Sequence, residues 1–246
     1  MPLADLTSAL VASLPAEASV RVTGYGETTL VNAAVPTSVL EAALATIVPA
    51  AATAGRGGHV AVLKGTGHPM DLAAGYGLST LSGTHGVSHT RMATESAVTA
   101  SGAHPFTVAD DLCLVHNGSF SNHASIRRTL RSQGIRFDSE NDSEVAARFV
   151  AWRMGLGDDL SEALERLGTV FDGFYTLVVM TATSIAVVRD PIACKPAIIA
   201  EAGRWVAMAS EYRALAGLPG IEDAHIFEPS PGVVYTWDLT PQLALA

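Results

Sequence analysis

Two cysteines, Cys113 and Cys194, are all that the 246 residues contain. They cannot form a disulfide framework, and a reducing, cytoplasmic setting is the default expectation. Charge is also scarce, at 16% of residues, and its balance is acidic: 15 Lys and Arg against 24 Asp and Glu, a net −9. Phosphate neutralisation needs clustered basic residues, so a nucleic-acid partner is not expected. No basic amphipathic stretch suggests a membrane surface. No apolar run approaches the ~20 residues of a membrane span. The opening MPLADLTSALVASLPAEAS lacks a positive n-region and carries Asp5 and Glu17. It reads as an amphipathic helix rather than a secretion signal.

Apolar residues make up 48%, enough to fill a sizeable core. The length allows one large domain or two small ones. Leu3 to Leu14 reads as a helix, and Val20 to Val31, with Gly24 and Gly26, as a hairpin or bulged strand. Pro36 to Val48 has helical spacing with proline at its start. The small-residue stretch Ala50 to Gly58 is the best candidate boundary. Beyond it, His59 to Leu63, Gly86 to Thr90 and Leu112 to His116 read as strands. Helices are expected over Asn122 to Gln133, Asp142 to Met154 and about Leu160 to Leu167. Strands return at Gly173 to Thr181, Ser184 to Arg189, Pro196 to Ala200, Arg204 to Ala209 and Gly232 to Trp237. Strands, then helices, then strands predict an α+β protein whose antiparallel sheets carry helices on one face.

Three clusters could carry chemistry. In Ser88-His89-Thr90-Arg91-Met92-Ala93-Thr94-Glu95-Ser96, an arginine at a strand end can clamp a carboxylate bidentately. It can equally be a surface residue in a weak salt bridge. Val115-His116-Asn117-Gly118-Ser119 contains Asn-Gly, the commonest two-residue hairpin turn. The alternative is that the Asn117 amide and the Gly118 N–H converge on one oxygen as an oxyanion hole, where one donor is worth ~3–4 kcal/mol. Asn141-Asp142-Ser143-Glu144 is a helix N-cap worth ~1 kcal/mol. Its aspartate could also face a ligand ammonium. A cation for an α-carboxylate, an anion for an α-ammonium and two donors for a carbonyl oxygen together describe recognition of an amino acid with a side-chain amide.

His89-Thr90-Arg91-Met92-Ala93-Thr94, His116-Asn117-Gly118 and Asn141-Asp142-Ser143-Glu144-Val145, in this order, resemble class II glutamine amidotransferases of the N-terminal-nucleophile kind. Arg189-Asp190-Pro191 with Lys195-Pro196, and Ala209-Ser210-Glu211, resemble their later motifs. The strings HTRMATESAVT, HPF, LCLVHNGS and RDPIACKP are most similar to the amidotransferase-like subunit of methylamine–glutamate N-methyltransferase (N-methylglutamate synthase). Subunits of glutamate-synthase type are close behind. The resemblance covers roughly residues 59 to 238. It implies a four-layer αββα sandwich of antiparallel sheets. Residues 57–246 would then be the amidotransferase domain, preceded by a helical and hairpin region over 1–56.

Carried over by motif, the resemblance gives Arg91 the glutamine α-carboxylate, with Thr94 beside it. It gives Asp142 the α-ammonium, and Asn117 and Gly118 the oxyanion hole. Glu95 stands where many members have histidine. The family nucleophile is an N-terminal cysteine whose own amine is the base, followed by a Gly-Ile-rich strand; no Cys-Gly-Ile occurs here. The expectation is an N-terminally incomplete fold, inactive by itself, belonging to an oligomeric assembly. Its partners would be glutamine or a related amino acid and an FMN-containing synthase subunit or other synthase subunits. A structural or regulatory subunit is the alternative. Cys113, between two leucines, reads as a buried inert thiol, and Cys194 as part of a structural turn. No cofactor or metal is implied for this chain. His85 and His89, four apart on an expected strand, would lie about 13 Å apart, and no carboxylate or cysteine cluster completes a zinc site.

Overall fold

The computed structural model describes residues 1–90, 99–100 and 102–239. Its first unit is α1 (Leu3–Ser13), the hairpin β1 (Arg21–Tyr25) and β2 (Thr28–Asn32), and α2 (Thr37–Ile47). Leu6 and Leu10, four apart, share one helix face and are buried with Leu14 and Ala18. Val22, Val31, Leu40 and Leu44 close around them, so this unit has a small core of its own. Among the described residues two polar side-chain contacts join α2 to the rest of the chain. Glu41 forms an ion pair with Arg56, and Thr37 Oγ1 donates to Asp110 Oδ2 at 2.8 Å.

Residues 51–68 run without regular structure into the short helix α3 (Pro69–Gly75). The strands expected over 59–63 and 86–90 are not there. Gly58 and His59 give their N–H groups to the Asp111 carboxylate, at 3.2 and 2.7 Å, rather than to a ladder. The apolar residues that suggested strands, Val62 and Val87, are instead laid on Cys113 and Met180. Local alternation satisfied the pattern, but among the described residues neither segment pairs with a strand.

The main body is a five-stranded antiparallel sheet built from β3 (Phe106–Ala109), β4 (Leu112–Phe120), β5 (Gly173–Met180), β6 (Ser184–Arg189) and β10 (Val234–Asp238), in the order β10-β6-β5-β4-β3. Three helices cover one face: α4 (His123–Ser132), α5 (Asp142–Gly155) and α6 (Leu160–Val170). The pleat sorts β4 cleanly. Leu112, Leu114 and Phe120 point into the helix-covered core, while Cys113 faces the other side. Asp159 caps α6 in a capping box with Glu162. A second antiparallel sheet, β7 (Ile198–Ala202), β8 (Trp205–Ala209) and β9 (His225–Phe227), has the order β8-β7-β9. Short 3-10 turns at Tyr212–Ala214 and Ile221–Asp223 flank it, and Leu215 and Ile221 pack on Ala200. Trp237 Nε1 donates to Glu201 Oε1 at 2.7 Å and links the sheets. The α+β class with antiparallel sheets is as expected. Among the described residues no helix is long and apolar enough to cross a membrane.

Candidate functional site

A cleft of about 1530 Å³ opens on the face of the large sheet away from the helices. Asn117, Thr176 and Val178 form its floor, Ile185 and Lys195 one side, Val206 to Ser210 the wall from the second sheet, and Asn141, Asp142 and Ser143 the rim. Parts of the three sequence clusters, residues 88–90, 115–119 and 141–143, therefore meet in one place. Arg91, Thr94 and Glu95 lie outside the described residues, whereas Gly86 to Thr90, which lead to them, line the cleft.

Asn117 and Gly118 do not form a hairpin turn. They sit inside β4, opposite Thr176 and Tyr175 of β5, and the ladder continues to Phe120 opposite Gly173. Glycine is required at 118 for another reason. Its φ is +152°, and a Cβ there would lie 2.0 Å from the Phe174 carbonyl oxygen and 2.9 Å from His116 Nε2. The Asn-Gly pair marks a close approach of two strands, which has the same local signature as a turn.

Asp142 opens α5, and Asn141 is the N-cap, its Oδ1 accepting the Ser143 N–H at 2.9 Å. The Asp142 carboxylate accepts the Phe120 N–H at 3.0 Å through Oδ2 and the Ser143 hydroxyl at 3.3 Å through Oδ1. It keeps about a quarter of its surface open to the cleft. Ser143 Oγ also lies 2.9 Å from His116 Nδ1 and 3.0 Å from His104 Nε2. His116 is buried and stacks on Phe120 at 4.4 Å. Burial lowers its pKa to about 4; Asp142 works against that shift, and His89 and Lys195 add to it.

The loop before Asp142 is held by two buried ions. Glu144 accepts the N–H groups of Asp138 and Ser139, at 2.9 and 2.7 Å, and the Ser139 hydroxyl at 2.7 Å. Burial alone would raise its pKa; these bonds and Arg148 outweigh that and leave it below the ordinary carboxylate range. Arg127 donates to the Ser139 and Asn141 carbonyls at 2.5 and 3.1 Å and lies over the Phe137 ring. At the other end of the cleft, the fully buried Asp190 accepts from Tyr175, Ile192 and Ala193 N–H groups at 2.7, 2.8 and 3.0 Å. It fixes the turn that carries Lys195 to the cleft. Among the described residues no group of three or more His, Cys, Asp or Glu could hold a metal ion.

Residues 89–217 match a family model described as a glutamine amidotransferase domain. The chain belongs to the glutamine amidotransferase family. It is 48% identical over 236 residues to the glutamine amidotransferase-like protein GlxB of Rhizobium meliloti, covering 96% of this chain and 77% of that one. It is 32% identical to a putative glutamine amidotransferase of Methanothermobacter thermautotrophicus over 72% of this chain and 58% of the relative. A solved structure of the allosteric regulatory enzyme of purine biosynthesis matches with a TM-score of 0.51 at 23% identity, over 62% of this chain and 34% of that one, a likeness of fold.

In this member of the family neither cysteine lines the cleft. Cys113 is buried on the sheet with Val62 and Met180, 3.2 Å from Thr107 Oγ1, and burial raises its thiol pKa. Cys194 is exposed on the turn before Lys195. Reading the sequence missed His104, His116 and Ser143 as a connected group, and missed Arg127 altogether. Each looks like an ordinary polar residue until the chain brings β4 and α5 together.

Proposed function

We propose that the cleft binds glutamine through its amino-acid end and presents its side-chain amide to β4. Asp142 takes the α-ammonium, Arg91 with Thr94 takes the α-carboxylate, and the Asn117 amide with the Gly118 N–H takes the developing oxyanion. The observation that carries this reading is Asp142. Its carboxylate is held by Phe120 N–H at the end of the strand that bears Asn117 and Gly118, and it is open to the same cleft. Peptide groups alternate along a strand, so the Gly118 N–H, two residues before Phe120, is directed to that same edge.

The nucleophile would come from outside these 246 residues, because Cys113 and Cys194 lie away from the cleft. The unit would serve a larger cytoplasmic, oligomeric assembly that consumes the released ammonia. The N-methylglutamate-synthase and glutamate-synthase types, with an FMN-containing partner subunit, are favoured by the motif strings. Residues 57–246 would form the amidotransferase unit and 1–56 an appended one, in keeping with the separate core around Leu6 and Leu10. The position of both cysteines also supports a second reading, a subunit that binds glutamine without hydrolysing it.

Calorimetric titration with L-glutamine tests the site. Asp142→Ala and Arg91→Ala should each weaken binding at least about tenfold, or ~1.4 kcal/mol. Asn117→Ala should leave binding unchanged, because an oxyanion donor acts in the transition state. The chain by itself should release no ammonia from glutamine. Ammonia release abolished by Cys113→Ala or Cys194→Ala, or full affinity in Asp142→Ala, would overturn the reading.

A further inference from the structure

The hydroxyl of Ser143 is surrounded by three polar groups: His116 Nδ1 at 2.9 Å, His104 Nε2 at 3.0 Å and Asp142 Oδ1 at 3.3 Å. A hydroxyl has one proton and two lone pairs. An ionised carboxylate can only accept, so the Ser143 proton goes to Asp142, and both imidazoles must donate to Ser143. This fixes His116 as the tautomer protonated at Nδ1 and His104 as protonated at Nε2. His116 Nε2 is then a bare nitrogen, buried against Gly118, with no hydrogen-bond partner among the described residues. A second proton there would have nothing to bond to, which agrees with a ring held neutral by burial.

We infer that Ser143, itself oriented by His116 and His104, is a positioning residue that sets the Asp142 carboxylate for an α-ammonium group. Among the described residues two donors hold the carboxylate, Phe120 N–H on Oδ2 and the Ser143 hydroxyl on Oδ1, and each oxygen keeps a lone pair for the ligand. With the plane of the carboxylate fixed before the ligand arrives, less ordering cost falls on binding. Ser143 is nearly fully buried and faces the strand side of α5, so it acts through Asp142. The inference rests on the glutamine reading of the same cleft.

The test compares two ligands that differ only at the α-carbon: L-glutamine, and glutaramate, which has the carboxylate and side-chain amide without the ammonium. Ser143→Ala should weaken L-glutamine by roughly threefold to tenfold, the loss of part of one charge-assisted bond, and leave glutaramate unchanged. Ser143→Thr, which restores the hydroxyl, should recover glutamine affinity. Equal loss for both ligands would make Ser143 merely structural and overturn the inference, as would no loss for either. If Ser143→Ala does not fold, His116→Phe removes the Nδ1 donor while keeping a ring against Phe120, and it should give the same ligand-selective loss. A wild-type chain that binds glutamine no better than glutaramate, with Asp142→Ala indistinguishable from it, sinks the glutamine reading. Selective loss in Asp142→Ala without it in Ser143→Ala sinks only the role of Ser143.

Discussion

Acid should weaken this fold through His116 before it protonates the carboxylates. In the folded chain the ring takes a proton only near pH 4, whereas an unfolded histidine does so at 6.5. Between those values the unfolded chain binds one proton more than the folded chain. Stability is therefore complete above pH 6.5 and falls as pH drops toward 4. The gap corresponds to about 3 kcal/mol at ~1.4 kcal/mol per pH unit, and about 2 kcal/mol is already lost by pH 5. Urea denaturation at pH 7.5, 6 and 5 measures it directly. His116→Asn offers a donor to Ser143 but cannot titrate, so its stability should change less over this range by about 2 kcal/mol. Parallel pH dependences for wild type and His116→Asn would show that the ring takes its proton equally readily folded and unfolded, and the picture of a ring held neutral by burial would fall.

Gly118→Ala should cost more than about 4 kcal/mol, because its Cβ would meet the Phe174 backbone oxygen and a flexible side chain is not there to yield. A shift of under ~1 kcal/mol in urea would mean that β4 and β5 separate easily at this point. A thiol reagent at neutral pH should label Cys194 in the folded chain and Cys113 only after denaturant is added, since Cys113 is buried and its thiol pKa is raised. Rapid labelling of both would contradict the packing around Met180.

The parts of the fold that were legible are those in which one stretch of sequence carries its own instruction. The helix of Asp142–Gly155 is announced by Val145, Phe149 and Val150 along one face, all of them buried, and by capping residues at its start; Asp142 and Ser143 are the expected caps, but Asn141 takes that place and they open the first turn. Strands 173–180 and 184–189 are apolar runs separated by a tight turn, and they pair as neighbours. Where a partner far along the chain decides, the reading failed. Val62 and Val87 have strand-like surroundings, yet among the described residues they pair with no strand, and they serve as cover for Cys113. Phe106–Ala109 is only four residues long, and it is a strand because Leu112 and Leu114 pair with it. Asn117 and Gly118 look like a turn because both turns and close strand approaches select glycine. Only the position of Phe174 distinguishes them.

The same distinction applies to the site. Asp142 was visible because an N-cap region has a sequence signature; the groups that hold Asp142 in place have none. Arg127 and Glu144 are both buried, yet they are not paired with each other. Taking each ion out of water costs several kcal/mol unless its hydrogen bonds are replaced, and packing α4 on α5 could be done as well by leucine or methionine. Most of their bonds go to the backbone of residues 138–141 and to Ser139, beside ion pairs of Arg127 with Glu140 and of Glu144 with Arg148. Arg127 reaches the loop from α4 and Glu144 from α5, so the loop moves only if both helices do. Four residues of irregular chain are thereby held from two helices, immediately before the carboxylate that faces the cleft. An arrangement needed for packing alone would not concentrate two desolvated charges on one loop. On the proposed reading of the cleft, the same bonds keep the Asp142 carboxylate placed relative to Asn117 on a different element.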